Sequence, residues 1–120
     1  MISRLVLAAW SAMALPRVEI VGQQYVNTET NNTVVFHGVN VVVKVPPYIP
    51  SQGQFDPIMS LTRAEMSMMR DWGINLVRLG VIWEAVEKAP GVYDHEYLAQ
   101  VEELVDLLGE FGIYTIVDAH

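Results

Sequence analysis

The amino-acid sequence predicts an α/β fold in which parallel strands alternate with helices. Residues 72–77 and 111–117 share one pattern, an aromatic residue, a glycine and an apolar run, and Gly73 and Gly112 are 39 positions apart. A glycine placed in this way ends a helix and lets a strand follow. A third apolar run, residues 34–43, lies about one such spacing upstream and is rich in the β-branched residues typical of buried strands. Helices are expected to connect these strands, because parallel strands need long connections.

Three structures are predicted ahead of the first helix: a hairpin, a strand and a loop. Residues 17–21 and 33–36 flank the polar stretch 27–32, and this arrangement predicts a short β-hairpin. The first parallel strand is assigned to residues 34–43. Residues 45–54 then form a proline-rich loop that is neither a helix nor a central strand, because proline lacks the N–H group that both structures require.

Two helices are predicted from their end signals and their apolar spacing. Thr62 and Glu65 fit the reciprocal capping pattern, and Gly73 ends that helix. The second helix begins at Asp94 as the N-cap and ends at Gly112. The apolar stripes are Leu61, Ala64, Met68 and Trp72 on the first helix, and Leu98, Val101, Leu104, Val105 and Leu108 on the second.

The length of the repeat predicts the N-terminal part of a (β/α)8 barrel. Eight such units give roughly 310 residues, which is somewhat above the typical barrel of about 250 residues. About three units begin within residues 17–120, and no helix follows the strand that ends at His120. We therefore expect residues 17–120 to be an incomplete barrel domain. An isolated sheet of this kind exposes an unpaired edge, so the chain alone is expected to be a poor monomer.

Residues 1–14 resemble a short secretory signal peptide, with a basic residue, an apolar stretch and a small-residue ending. The competing interpretation is a segment of a hydrophobic core. Asn31-Asn32-Thr33 is an N-glycosylation sequon within a polar turn. These features favour a secreted protein or one of the lysosomal lumen, and the absence of cysteine is neutral on export.

Composition and charge exclude several classes of protein. A hydrophobic content of 52% with 18% charged residues is typical of a globular core. No apolar run reaches the length of about 18 residues that a membrane-spanning helix requires. The net charge of -7, without a basic cluster, argues against a nucleic-acid partner. A nucleotide-binding α/β domain is disfavoured, because no glycine-rich phosphate loop follows any strand.

Polar side chains at the strand ends form the candidate site. Asp118 and His120 point to one side of a strand, but two ligands without a third make a poor metal site, so neither a metal nor a cofactor is expected. Arg78 is predicted to enter a barrel lumen, where it needs a carboxylate partner. A purely structural ion pair with Asp118 is the alternative. Asn40 can satisfy polar neighbours, and Lys44 follows the first strand, where the alternative is a surface lysine.

Four further residues lie in loops near the same strand ends. Glu84 and Glu87 are expected to be solvated or to make loop hydrogen bonds rather than to catalyse, because barrel enzymes take catalytic groups from the ends of several strands. Trp83 and Tyr48 offer aromatic faces on which a sugar can stack, although packing within the protein is the more common role.

Three segments in succession resemble the beginning of a glycoside hydrolase family 5 enzyme. They are FHGVNVVVK at 36–44, WGINLVRLGVIWEAVE at 72–87 and GIYTIVDAH at 112–120. Within that family, the chain resembles endoglycoceramidases most. The features that carry this likeness are Asn40 and Lys44 at the end of the first strand, residues 55–57 and 90–93, and the final Asp-Ala-His.

The resemblance implies a (β/α)8 barrel that hydrolyses the O-glycosyl bond between an oligosaccharide and ceramide, with retention. The two catalytic glutamates of the family lie on the fourth and seventh strands, so no catalytic residue is expected here and the chain alone is expected to be inactive. The resemblance further implies that Lys44 and His120 bind the sugar and that Arg78 lies beside the nucleophile. Asn40 and Asp118 are interpreted as supporting the site.

A glycosphingolipid substrate implies an encounter at a membrane surface. A sterol-linked glucoside is an alternative substrate, because contacts to the leaving group come from later loops of such barrels. The alternative to an enzyme is a short, non-catalytic product that binds sugar or lipid.

Overall fold

The computed structural model describes residues 15–120, and the predicted signal peptide, residues 1–14, lies outside the described residues. The strands are β1 (Val18–Val21), β2 (Gln24–Asn27), β3 (Thr33–Val34), β4 (Gly38–Val41), β5 (Leu76–Val81), β6 (Glu87–Ala89), β7 (Val92–Tyr93) and β8 (Tyr114–Ala119). The helices are α1 (Arg63–Asp71), α2 (Trp83–Val86) and α3 (His95–Glu110). The predicted α/β class is confirmed, because β4, β5 and β8 form a parallel sheet in that order.

An antiparallel sheet of three strands precedes the parallel sheet, so the predicted single hairpin of residues 17–21 with residues 33–36 is wrong. The partner of β1 is β2, and β3 pairs with the other edge of β2. Gly22 explains the difference, because its φ of +62° permits a tight turn directly after Val21. The polar stretch after β2 therefore makes only the second turn of the sheet.

The apolar run of residues 34–43 is divided between two sheets and is not one strand. Val34 ends β3, and β4 begins only after His37. The side chain of Asn75 forms hydrogen bonds with backbone groups of the residues between these two strands. Its Oδ1 accepts a hydrogen bond from the N–H of His37 at 2.8 Å, and its Nδ2 donates to the carbonyl of Val35 at 3.0 Å. Backbone groups bonded to a side chain are withdrawn from a strand ladder, so the chain changes sheets here.

The predicted ends of both long helices are confirmed. The hydroxyl of Thr62 accepts from the N–H of Glu65, and the Glu65 carboxylate accepts from the N–H of Thr62 at 2.8 Å. Asp94 caps α3 by accepting from a first-turn N–H at 2.9 Å. Gly73 and Gly112 follow the two helices with φ values of +78° and +75°, which glycine adopts without a steric penalty.

The cap of α1 also depends on pH. Burial opposes ionisation of Glu65, but hydrogen bonds from Thr62 and Ser60 outweigh it and hold the Glu65 pKa below its ordinary value. A carboxylate whose pKa is lowered by folding stabilises the fold above the pKa of the unfolded chain. That stabilisation is lost as the pH falls through the lower, folded pKa, so acid weakens the start of α1.

The buried face of α1 differs from the predicted stripe. Leu61 is buried as predicted, but the helix buries Met66 and Met69, whereas Met68 and Trp72 are 46% and 68% exposed. The sequence of α1 carries two apolar stripes, and helical spacing alone does not decide which one faces the sheet. The packing of α1 against the strands decides which of its two apolar stripes is buried.

The buried face of α3 is partly as predicted. Its buried residues are Tyr97, Val101, Leu104, Leu107 and Leu108. Tyr97 thus takes the place of the predicted Leu98, although its hydroxyl is polar. That hydroxyl donates a hydrogen bond to the carbonyl of Tyr48 at 2.9 Å, which satisfies the polar end of the side chain and makes its burial favourable.

The hydrophobic core lies between the two long helices and one face of the parallel sheet. Its most deeply buried side chains are Met66, Val77, Leu104, Leu108 and Ile113. Because Val77 and Leu79 of β5 belong to this core, the residues that alternate with them, Arg78 and Gly80, point to the opposite face. Within residues 15–120, no helix is long and apolar enough to cross a bilayer.

Replacing Thr62 with alanine is predicted to lower the free energy of unfolding by about 1 kcal/mol, because the N-cap acceptor of α1 is lost. Urea denaturation followed by circular dichroism measures this change. Thr62→Ser is the matched control, because it keeps the hydroxyl. Equal stability of the Thr62→Ala variant and the unsubstituted chain would show that the capping hydrogen bonds do not stabilise α1.

Candidate functional site

The candidate site lies on the face of the parallel sheet that is turned away from the helices. The strand register sets Asn40 beside Arg78 and Gly80 beside Asp118. These residues share the face because they alternate with residues that point toward the helices. Asn40 is exposed there. Three separate segments of the chain therefore contribute polar groups to one open surface.

One carboxylate oxygen of Asp118 contacts both Arg78 and His120. Its Oδ2 accepts from a terminal nitrogen of Arg78 at 2.8 Å and lies 3.3 Å from Nδ1 of His120. The ion pair with Asp118, which was the alternative role predicted for Arg78, is thus present. The side chains of Arg78, Asp118 and His120 nevertheless remain 44%, 26% and 38% exposed. Atoms of all three groups are therefore accessible to a ligand.

His120 follows the last residue of β8, and its backbone is held on both sides. Its N–H donates to the carbonyl of Val81 at 2.9 Å, and its carbonyl accepts from the N–H of Trp83 at 2.8 Å. These two hydrogen bonds extend the pairing of β5 and β8. They also place Trp83, whose side chain is 58% exposed, at the same edge as His120. An exposed indole beside hydrogen-bonding groups is suited to contact a sugar ring.

Lys44 lies just beyond β4 and is exposed. Val43 is buried in the core. Val42 lies directly over Gly80, because a Cβ atom added to Gly80 would come within 2.8 Å of a methyl carbon of Val42. A glycine within a strand is the sequence signal for such a close approach.

The two glutamates that follow β5 both accept hydrogen bonds from neighbouring segments. The predicted loop position of Trp83, Glu84 and Glu87 is wrong, because Trp83 and Glu84 belong to α2 and Glu87 begins the β6–β7 hairpin. Glu84 accepts a hydrogen bond from the hydroxyl of Tyr48 at 3.1 Å, and Glu87 accepts from the N–H of Gly91 at 2.7 Å. The hydrogen bond to Glu84, together with burial, raises the pKa of Tyr48. Of the two predicted roles, solvation or a hydrogen bond, both glutamates take the hydrogen bond.

A cleft of about 250 Å³ lies between the proline-rich loop and the start of α3. Arg78, Asp118 and His120 do not line this cleft. Two of its charged groups neutralise each other, because Lys88 and Asp94 form an ion pair at 2.6 Å. Their hydrogen bond raises the pKa of Lys88 and lowers that of Asp94. The cleft and the candidate site are therefore formed by different residues.

The chemistry of the strand ends is that of hydroxyl recognition. The guanidinium and ammonium groups donate hydrogen bonds, the carboxylate accepts them, and the amide and imidazole can do both. Within the described part of the chain, no three histidine, aspartate or glutamate side chains come together as metal ligands. Such a set of donors and acceptors is suited to hydroxyl groups.

The family model for cellulases of glycosyl hydrolase family 5 matches residues 21–120, and the chain belongs to this family of glycosidases. It is 37% identical over 102 residues to an endoglycoceramidase of Cyanea nozakii, with 79% of this chain and 20% of the relative covered. It is 35% identical over 88 residues to endoglycoceramidase I of Rhodococcus hoagii, with 73% and 17% covered. The chain thus spans about a fifth of the length of these relatives.

Solved structures show the same relationship. The crystal structure of endogalactoceramidase matches with a TM-score of 0.63 and 30% identity, over 84% of this chain and 22% of that chain. The complex of endo-glycoceramidase II from Rhodococcus sp. with ganglioside GM3 matches with a TM-score of 0.54 and 31% identity, over 73% and 18%. The predicted resemblance to family 5 and to endoglycoceramidases is confirmed.

Replacing Gly80 with alanine is predicted to lower the free energy of unfolding by about 1–3 kcal/mol, because the added methyl overlaps Val42. Adding Val42→Ala removes the overlapping methyl groups and is expected to recover part of this loss. A double-mutant cycle measured by urea unfolding tests the coupling. If Gly80→Ala costs the same with and without Val42→Ala, contact with Val42 is not what requires glycine.

Proposed function

We propose that this chain begins a (β/α)8 barrel, with its first three strands and the two long helices between them, in a retaining glycosidase that releases oligosaccharide from ceramide. The parallel order of β4, β5 and β8 supports this proposal, as does the similarity to endoglycoceramidases. The observation that carries it is the position of Asp118. One carboxylate oxygen of Asp118 contacts both Arg78, from the middle of β5, and His120, at the carboxyl end of β8. Barrel enzymes bind their substrates at the carboxyl ends of their strands.

In the proposed site, this chain supplies groups that bind and orient the sugar. His120 and Lys44 hydrogen-bond hydroxyl groups of the sugar next to the cleaved bond. Arg78 is fixed by Asp118 and is still 44% exposed, so its free N–H groups are available to the nucleophilic carboxylate and keep it ionised. Asn40 lies beside Arg78 in the strand register and supports its position.

The two catalytic carboxylates are proposed to come from other strands of the barrel. A retaining glycosidase needs an acid/base and a nucleophile about 5–5.5 Å apart. Glu84 and Glu87 are already bonded to Tyr48 and Gly91, and Asp118 is paired with Arg78. We therefore propose that the chain binds the sugar as part of the barrel and is inactive alone.

The ceramide side of the site is proposed to include the apolar groups of Val45 and Trp83. Their side chains are 53% and 58% exposed. The hydrogen bond from Tyr48 to Glu84 fixes the proline-rich loop against α2, which begins at Trp83. An apolar margin next to a polar site suits a substrate that has a sugar at one end and lipid chains at the other. Such a substrate is met at a membrane surface.

The test grafts residues 21–120 in place of the matching fifth of the Cyanea nozakii endoglycoceramidase. The chimera is expected to release oligosaccharide from a glycosphingolipid. Arg78→Met in the chimera is expected to lower kcat/KM roughly 100-fold, because the charged hydrogen-bond donors beside the nucleophile are lost. Release of free ceramide from a fluorescent glycosphingolipid provides the measurement.

Arg63→Met is the matched control in the chimera. Arg63 pairs with Glu110 at 3.1 Å, and both residues belong to the helices that pack on the face of the sheet opposite the candidate site, so its loss is expected to change kcat/KM little. Two outcomes contradict the proposal. One is a folded chimera that cleaves no glycosphingolipid, and the other is a loss in Arg78→Met no larger than that in Arg63→Met.

A further inference from the structure

The turn between β2 and β3 contains the sequon Asn31-Asn32-Thr33 and takes no part in the proposed site. An Asn-x-Thr sequence without proline in the middle is the acceptor for N-glycosylation. All three residues are exposed. Such sequons also occur by chance, so the geometry of the turn decides whether Asn31 is able to carry a glycan.

The turn is built without the side chain of Asn31. Oδ1 of Asn27 accepts hydrogen bonds from the N–H groups of Glu29 at 2.8 Å and Thr30 at 3.2 Å. The backbone N–H of Asn31 donates to the carbonyl of Asn27 at 2.8 Å. Among the hydrogen bonds of residues 15–120, none engages the carboxamide of Asn31. Modification of this carboxamide therefore removes no contact that holds the turn.

The backbone of Asn31 also favours asparagine at this position. Its φ of 59° lies in the left-handed region, which asparagine adopts more readily than most other residues that carry a side chain. Thr33 is held in place as well, because its hydroxyl donates to the side chain of Gln24 at 3.1 Å on the surface. Both elements of the sequon are thus presented on an ordered, exposed hairpin turn.

The turn belongs to the end of the fold that is opposite the candidate site. The ring of Phe36 contacts the rings of Tyr25 and Tyr114, with centroid distances of 5.0 Å and 5.6 Å. This contact packs the antiparallel sheet against the start of β8, because Tyr114 is the first residue of that strand, whereas His120 follows its last residue. A strand of this length spans about 20 Å. A glycan on Asn31 therefore leaves the strand ends open.

We propose that Asn31 carries an N-linked glycan in the native protein. In this transfer, a bond forms between Nδ2 of Asn31 and C1 of the first sugar of a lipid-pyrophosphate-linked oligosaccharide. The bond between C1 and the phosphate oxygen breaks, the lipid pyrophosphate leaves with the electron pair, and the amide nitrogen loses a proton. The proposal requires that the chain enter the secretory lumen, for which residues 1–14 carry the predicted signal. It does not depend on glycolipid hydrolysis.

The test translates the whole chain in the presence of endoplasmic reticulum microsomes. One version has its own N-terminus, and a second carries a strong cleavable signal peptide in front of it. Thr33→Ala removes the acceptor hydroxyl, and Thr33→Ser is the matched control that keeps it. The measurements are protection from added protease, a mass increase that peptide N-glycosidase removes, and conversion of Asn31 to aspartate on that removal.

The unsubstituted chain and the Thr33→Ser variant are expected to be protected and glycosylated at Asn31, and the Thr33→Ala variant is expected to be protected and unmodified. Protected chain with unmodified Asn31, in the version with the strong signal, overturns the acceptor assignment. Failure of the chain to be imported with its own N-terminus overturns glycosylation in the native protein. A mass increase that persists in Thr33→Ala assigns the glycan to another residue and also overturns the proposal.

Discussion

Asn75 ties the starts of all three parallel strands together. Its side chain bonds two backbone groups ahead of β4, its N–H donates to the carbonyl of His37 at 3.0 Å, and its carbonyl accepts from the N–H of Tyr114 at 2.8 Å. These hydrogen bonds fix how far each strand extends relative to its neighbours. A slip of one residue would turn a whole strand's site residues toward the helices. The contact between Arg78 and Asp118 therefore depends on Asn75, which directly precedes β5.

In the proposed function, the ion pair of Arg78 and Asp118 orients the site more than it stabilises the fold. Both side chains are partly exposed, and exposed pairs contribute only about 0–1 kcal/mol to folding. The same contact restricts a guanidinium, and Asp118 also lies against the imidazole of His120. Side chains that bind a ligand are typically held in position by such contacts, even where the contacts add little to the stability of the fold. Gly80 completes the arrangement by letting Val42 approach the sheet.

Local signals in the sequence were sufficient for the fold class, the helix ends and the side of the strand on which Asp118 and His120 lie. Each of these depends on a few neighbouring residues, such as the cap at Thr62. The three-stranded meander, the buried face of α1 and the contact of Val42 with Gly80 were not predicted, because they depend on packing between distant segments. The ion pair of Arg78 with Asp118 was one of two alternatives, because spacing along the chain does not give strand register. The roles of Lys44, His120 and Asn40 toward a sugar stay predictions.

The most direct test of the proposed function is an assay of the native protein, captured from its source with an antibody against the loop of residues 45–54. The captured protein is incubated with a glycosphingolipid that carries a fluorescent ceramide, and both products are identified by mass. The proposed function predicts that intact oligosaccharide and free ceramide are released together. A captured protein that binds the glycosphingolipid but releases neither product would contradict it and would favour a non-catalytic binding role.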